Sequence, residues 1–353
     1  MEDKTAARAR LFPLSRPVAA SRYHGCVPDA PVPVPVSVII PVRDDPRLFA
    51  CLDSILAIRG EVNGELQIIV VDNASPAAFR ESLRGRLPPG VVLMTEDGAI
   101  GAYAARNKAI AVATGEVVFF TDADCLIRPG WFRAGLESVA KGADIVQGFS
   151  GGIGEGPLAS IMQSRHEAHT WPVAEGAPTQ VDTKNCAVAR RVFATERFND
   201  RFRRVADTEF GLVAELHGYR VAFAPKMAVD HANDLDIPLF LAKQVCHGWG
   251  SRRIEVTYPG VKWNGGHPAL VRVVVAAARL CPFRRAAGGA LAAAVIAAGR
   301  VTTRVVTRLP KRVAFWPLTA LDKIAAVAGY FLYEGGAPEP SPSELLNRRL
   351  MRD

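Results

Sequence analysis

Between Val36 and Phe120, short β-branched runs alternate with stretches of helical periodicity, and this alternation restricts the fold more than any other feature of the chain. Val36–Pro41, Leu66–Val71, Val91–Met94 and Val117–Phe120 are apolar runs of strand length. Pro46–Ile58, Pro76–Leu87 and Ala99–Ala113 place apolar residues at helical spacing, the last with Gly115 behind it as a stop. Such repetition predicts an α/β fold, with a mostly parallel sheet flanked by helices. No Gly-x-Gly-x-x-Gly follows the first strand, so a dinucleotide-binding fingerprint is absent. Farther on, Ala143–Gln147, Asp182–Val188, Arg220–Ala224 and Met227–His231 predict short strands, around a helix near Asp207–His217. Pro238–Val256 predicts another helix, and the glycine-rich stretch Gly148–Gly156 a mobile segment.

Three of the first four strands end in acids: Asp44 and Asp45, then Asp72, then Asp122 and Asp124. In a parallel sheet these ends share one edge, where open α/β sheets take ligands. Asp-x-Asp suits a hard divalent cation held by carboxylates together with phosphate oxygens, whereas a bare carboxylate would repel a diphosphate. Taken alone, the pair is weak evidence for a cation and a solvated turn is the better reading. Val118–Asp124 also superficially matches the nucleophile strand of a haloacid-dehalogenase-type phosphatase. That class wants the pair on its first strand, and here it follows the fourth.

Taken in order, the motifs resemble those of a GT-A fold glycosyltransferase of the large family 2. Val38-Ile39-Ile40-Pro41-Val42-Arg43-Asp44 is similar to the family's opening strand and nucleobase-contacting turn, and Val70-Val71-Asp72-Asn73-Ala74-Ser75 to its second strand. Gly101 through Arg106-Asn107 resembles the helix start before the metal strand, and Phe120-Thr121-Asp122-Ala123-Asp124 the Asp-x-Asp motif. The resemblance implies nucleotide-sugar contacts from Pro41, Val42, Arg43, Asp44, Asp72, Asn73, Gly101, Arg106, Asn107, Asp122 and Ala123. It implies Mn2+ or Mg2+ at Asp124, with Asp122 and His231 as further ligands. Thr183-Lys184-Asn185-Cys186 and Phe198–Phe202 resemble acceptor-side elements, so Lys184 and Asn185 are expected to face the acceptor. Asp207-Thr208-Glu209-Phe210 with Gly218-Tyr219-Arg220 resembles the catalytic helix, placing the base at Asp207 and leaving Glu209 as a competitor.

The implied reaction moves one sugar from a nucleoside-diphosphate sugar to an acceptor hydroxyl with inversion. Ala206 stands where the family usually has Glu, which leaves a non-catalytic glycosyltransferase-like membrane scaffold as an alternative. Gln244-Val245-Cys246-His247-Gly248-Trp249 only loosely matches the Gln-x-x-Arg-Trp motif of processive synthases, which favours single addition. Arg106 pairs with a carboxylate such as Asp122 or contacts phosphate. For Trp171, Trp249 and Trp263 core packing is the default, although each could stack on a sugar face; His166, His169, His217 and His267 carry no assigned role.

The net charge of +8 resides in the C-terminal part. Between Gly265 and Leu321 there is no Asp or Glu but nine Arg or Lys, more than the whole excess. Arg300, Arg304, Arg308 and Arg312 recur every fourth residue. Ala286–Gly299 is uncharged but 14 residues long, short for a bilayer, and Val313–Tyr333 has Asp322 and Lys323 at its middle. The pattern predicts interfacial helices on an anionic membrane surface, with packing on the catalytic domain and a homo-oligomer contact as alternatives. Without interleaved aromatics, nucleic acid is not an expected partner.

These features divide the chain into a Pro- and Arg-rich extension (1–35), a catalytic domain (36–256, with nucleotide half 36–125 and acceptor half 126–256), a helical appendage (257–336) and a tail (337–353). Six scattered cysteines and no signal-like apolar run predict a reduced, cytoplasmic setting, peripheral on the inner membrane face. Glycan or lipid-linked acceptors of the cell envelope fit that location.

Overall fold

The computed structural model describes residues 33–98, 101–154, 156–170, 180–233, 235–259, 284–306, 311–333 and 339–346. The 1–32 lead-in, Trp171, Trp263 and His267 lie outside the described residues, as do the side chains of His166, His169, Arg304, Arg308 and Arg312.

Four strands follow the predicted alternation: β1 (Val36–Val42), β2 (Leu66–Asp72), β3 (Val91–Thr95) and β4 (Val117–Thr121). Between them run α1 (Leu48–Ala57), α2 (Ala77–Arg86) and α3 (Ala102–Ile110). β1 lies between β2 and β4 and is parallel to both, so Val42, Asp72 and Thr121 finish on one edge. All seven residues of β1 are buried because helices cover both faces, and the strand therefore reads as a continuous apolar run.

The half expected to face the acceptor adds β5 (Cys125–Ile127), α4 (Trp131–Ala140), β6 (Ile145–Ile153), α5 (Pro157–Thr170), β7 (Asn185–Ala189), α6 (Ala206–Leu216), β8 (Val221–Ala232) and α7 (Ile237–Thr257). The sheet order is β3-β2-β1-β4-β7-β6-β8-β5, with antiparallel pairings at β4–β7, β6–β7 and β5–β8. Only residues 122–124 separate β4 from β5, yet three strands lie between them in the sheet. The sheet must therefore curl until its far edge returns to the Asp-x-Asp turn.

The glycine-rich stretch differs from its expected mobility. β6 continues through it to Ile153, paired in parallel with β8. A Cβ at Gly148 would strike the Met227 carbonyl and the Asn185 amide, so glycine permits the close approach at the register shift between Gly148 and Phe149. The two strands expected at Arg220–Ala224 and Met227–His231 are one strand, bent there.

Beyond α7 lie α8 (Arg284–Val306), α9 (Lys311–Leu332) and α10 (Pro342–Leu346). They share a core with α7: Phe240, Leu241 and Val245 pack with Ala292, Val295, Ile296, Leu318, Ala325 and Ala328. The α7–α9 crossing is close because Gly248 faces the Ala326 carbonyl and Gly329 the Val245 carbonyl, with no room for a Cβ at either glycine. α8 is longer than its uncharged sequence run. Arg285–Thr303 is long and apolar enough to cross a membrane by length and composition, and 28% of it is buried. Asp322 of α9, placed by the sequence at the middle of an apolar run, is 1% exposed. The four described cysteines, Cys51, Cys125, Cys186 and Cys246, are buried and free.

Candidate active site

The edge where β1, β2 and β4 end carries two tight turns. Asp44 (φ 50°) and Ala74 (φ 58°) both take the left-handed conformation. Asp tolerates it through local hydrogen bonding, and here the Asp44 N–H donates to Ser75 Oγ at 2.9 Å. Asp72 is 1% exposed; its Oδ1 accepts the Ser75 N–H at 3.3 Å and its Oδ2 lies 2.8 Å from Arg80 Nε. Asn73 ties the edge together: its Nδ2 donates to the Glu96 carbonyl at 3.1 Å and its Oδ1 accepts the Gly101 N–H at 2.8 Å. Gly101 (φ 153°) opens α3 from that bond.

The Asp-x-Asp turn follows β4. Asp122 is paired with the buried guanidinium of Arg106. Asp124 meets the far edge of the sheet, because Cys125 pairs with His231 across β5 and β8. Its Oδ2 lies 3.4 Å from His231 Nε2 and 3.7 Å from Arg47, which also pairs with Asp45. Burial alone would raise the Asp124 carboxyl, but His231, Arg47 and Lys184 hold it below its ordinary value. His231 Nδ1 lies 2.9 Å from Asn233 Oδ1. Asn233 Oδ1 can accept a hydrogen bond from Nδ1, and the neutral ring protonated there is the form that would leave Nε2 free for a cation beside Asp124.

Asp207 stands at the start of α6, just after Val205 in the left-handed conformation (φ 58°), a costly geometry for a β-branched residue. Its Oδ1 accepts from Tyr103 Oη at 3.0 Å and the Thr208 N–H at 2.9 Å, and its Oδ2 from the Thr183 N–H at 3.3 Å. Burial raises this carboxyl above the ordinary range; the charge of Asp182 adds to the rise, while Arg106 and the two N–H donors oppose it. A raised carboxylate that stays accessible suits proton abstraction near neutral pH.

Arg106, Asp122, Asp124, Lys184, Asp207 and His231 line one cavity of about 410 Å³. Pro41, Val42, Arg43, Asp44, Asp72, Asn73, Gly101 and Ala123 sit on or beside the same sheet edge but outside the lining of that cavity. Three expected contacts are redirected. Asn107 exchanges two hydrogen bonds with the Phe198 backbone, at 2.7 and 3.1 Å, and clamps α3 to the acceptor half. Asn185 is fully buried: its amide donates to the Phe149 and Met227 carbonyls and accepts from Trp131 Nε1, so it has no surface for an acceptor. Glu209 accepts from Tyr258 Oη at 2.6 Å and Asn199 Nδ2 at 3.3 Å on the far side of α6, away from the cavity, so it does not compete with Asp207. Arg47 and Tyr103 join the site through Asp124 and Asp207, partners distant in the chain, and Asn233, Arg204 and Lys243 line the cavity without any sequence signal.

Among the described residues no three His, Cys, Asp or Glu side chains form a ready metal cage, and Asp122, expected as a ligand, is occupied by Arg106. Asp124 and His231 alone converge. One carboxylate oxygen and one imidazole nitrogen fit a divalent ion that completes its shell with substrate phosphate oxygens and water.

Residues 37–201 match the sequence model of glycosyl transferase family 2. Glycosyltransferase AglE of Haloferax volcanii is 31% identical over 117 residues, an alignment covering 32% of this chain and 38% of that protein. Solved structures with related backbones include Staphylococcus aureus TarS 1–349 (18% identity, TM-score 0.42, 63% of this chain and 65% of that one). A mycobacterial protein gives 17% identity and a TM-score of 0.46, over 66% and 77% of the two chains. GalNAc-T7, solved with UDP, GalNAc and Mn2+, gives 14% and 0.44, over 56% and 44%. The chain thus spans well under half of the curated relative's length and just under two thirds of TarS 1–349. Asp207 and His231 lie beyond the matched segment, which ends at Arg201. The strand-end motifs lie inside a segment, residues 37–201, that is similar to glycosyl transferase family 2.

Proposed function

We propose that this protein transfers a single sugar, of hexose type, from a nucleoside-diphosphate sugar to an acceptor hydroxyl with inversion at the anomeric carbon. The observation that carries the reading is the opening of Asp207 and of the Asp124–His231 pair into one cavity. Asp207 takes the acceptor proton as the acceptor oxygen attacks, the glycosidic bond forms, and the bond to the diphosphate oxygen breaks with its electrons leaving on the nucleotide. Tyr103 and the Thr183 N–H keep the Asp207 carboxylate oriented throughout. Asp124 and His231 would hold Mn2+ or Mg2+, which supplies charge neutralisation on the departing diphosphate. Burial raises the Asp122 carboxyl at the cavity wall, and the Arg106 guanidinium paired with it opposes that rise. The turn at Asp44 offers a carboxylate and backbone groups for a base and ribose, and Asp72, buried against Arg80 and Ser75, braces that edge.

The proposal extends to location: a peripheral, cytoplasmic-face association with the membrane, in glycolipid, polysaccharide or envelope-glycan synthesis. The apolar, mostly unburied α8 and its 64% exposed Val301 support it.

A thermal-shift panel of UDP-, GDP- and dTDP-sugars with manganese tests the reading. One nucleotide class should raise the melting temperature in a manganese-dependent way, and Asp124→Ala should remove that shift. Absence of any nucleotide shift, with and without manganese, would favour the non-catalytic scaffold instead.

A further inference from the structure

The cavity holds more positive charge than the donor reaction uses. Six cationic side chains line it, Arg106, Lys184, Arg203, Arg204, Lys243 and Lys323, against four carboxylates, Asp122, Asp124, Asp182 and Asp207. Arg106 pairs with Asp122, Lys184 with Asp182 at 2.9 Å, and Lys323 lies 3.7 Å from Asp322. Lys243 on α7 and Arg204 in the turn before α6 have no ion pair or side-chain hydrogen bond among the described residues. The carboxylates they feel, Asp124 and Asp122 for Lys243 and Glu339 for Arg204, act only at longer range. Partly buried and close enough to repel, the two cations are held together by the fold. Burial, with Arg204 beside it, pushes the Lys243 ammonium down to about 8.

Two like charges kept together away from bulk water cost stability unless an anion joins them. The donor does not neutralise this excess: a divalent metal ion and the doubly ionised diphosphate of a sugar nucleotide cancel one another. Arg204, from the turn before α6, and Lys243, from α7, line the same cavity as Asp207, to which Phe240, Leu235, Met162 and Ala326 add apolar surface.

We propose that Arg204 and Lys243 form a phosphate subsite for the acceptor, so that the hydroxyl receiving the sugar belongs to a phosphate ester. Guanidinium and ammonium groups together are a standard phosphate clamp. The subsite rests on the transferase reading for its role but binds phosphate independently of it.

The test uses the full chain, saturated with nucleoside diphosphate and manganese so that the donor site is filled. Hexyl phosphate, glycerol phosphate, inorganic phosphate and hexanol are then titrated by thermal shift. The phosphate compounds should stabilise the protein and hexanol should not. Hexyl phosphate stronger than glycerol phosphate indicates that the apolar wall takes part and points to a lipid phosphate; equal shifts indicate that phosphate alone is read. Lys243→Gln and Arg204→Gln should each weaken phosphate-ester binding about tenfold or more while the nucleotide shift persists. Lys226→Gln, an exposed cation outside the cavity, should behave as the wild type. No phosphate-ester shift in the wild type, or loss of the nucleotide shift in either cavity variant, overturns the proposal, the latter assigning both cations to the donor. A protein that binds hexyl phosphate but no nucleotide keeps the subsite and sinks the transferase reading.

Discussion

Tyr103 donates its hydroxyl to Asp207 Oδ1 at 3.0 Å, joining the first helix turn after Gly101 to α6, which carries this proposed base. The bond crosses between the two halves of the sheet domain, so the geometry at Asp207 depends on both. Asp207→Asn should lower transfer by about 10²–10⁴-fold with nucleotide binding retained. Steady-state rates beside nucleotide titration check this.

The same bond sets a pH dependence. Asp207 must be ionised to accept a proton, and its carboxyl is already raised in the folded protein, so activity falls as pH drops through that raised value. Tyr103→Phe removes a donor that favours the ionised form. The acid limb of the kcat profile should therefore move to higher pH, by up to about one unit. An unmoved limb would detach Tyr103 from the base.

Asn233 Oδ1 lies 2.9 Å from His231 Nδ1 and would orient that ring in the proposed metal site. Asn233→Ala should weaken manganese binding about 10–100-fold without altering the fold. Manganese titration of the nucleotide-saturated protein, followed by electron paramagnetic resonance, reads the change directly.

Glu339 reaches from the C-terminal segment to the turn before the base helix, where its Oε2 accepts the Arg203 N–H at 2.6 Å. Burial pushes its carboxyl from 4.5 up to about 7, against the backbone donors of Arg203 and Arg204. Between those values the folded state holds a proton that the unfolded state has lost, so stability falls as pH rises from about 5 to 7.5. Relative to Glu339→Gln, the wild type should lose about 2–3 kcal/mol over that interval in denaturant melts. A constant difference would show that Glu339 does not titrate there.

Gly329 allows α9 to touch α7 through the Val245 carbonyl. Gly329→Val should cost about 3 kcal/mol, because neither backbone can retreat from a packed core. Thermal unfolding together with limited proteolysis at the C-terminal helices would register the loss.

The parallel half and its acid-bearing edge were legible in the chain because their causes are local. β-branched runs, helical spacing and turn residues declare elements one at a time, and parallel order then puts Asp44, Asp72 and Asp122 on a common edge. Short-range patterns could not reveal the extra elements β5 and α4, or the continuation of β6 through Gly148–Gly152, where pairing with β8 overrides the usual weakness of glycine in a strand. They also misplaced Asn107, Asn185 and Glu209, whose polar groups bind backbone or tyrosine partners that only the assembled halves supply.

Amino-acid order alone therefore decided that this protein is an α/β domain with carboxylates at strand ends, since strand length, helix period and edge position follow from neighbouring residues. The folded arrangement decided which carboxylate is free: Asp122 is taken by Arg106, Asp124 meets His231, and Asp207 is held by Tyr103. Those outcomes depend on the curl of the sheet and on α7–α9 closing the cavity, contacts between residues far apart in the chain that no spacing encodes.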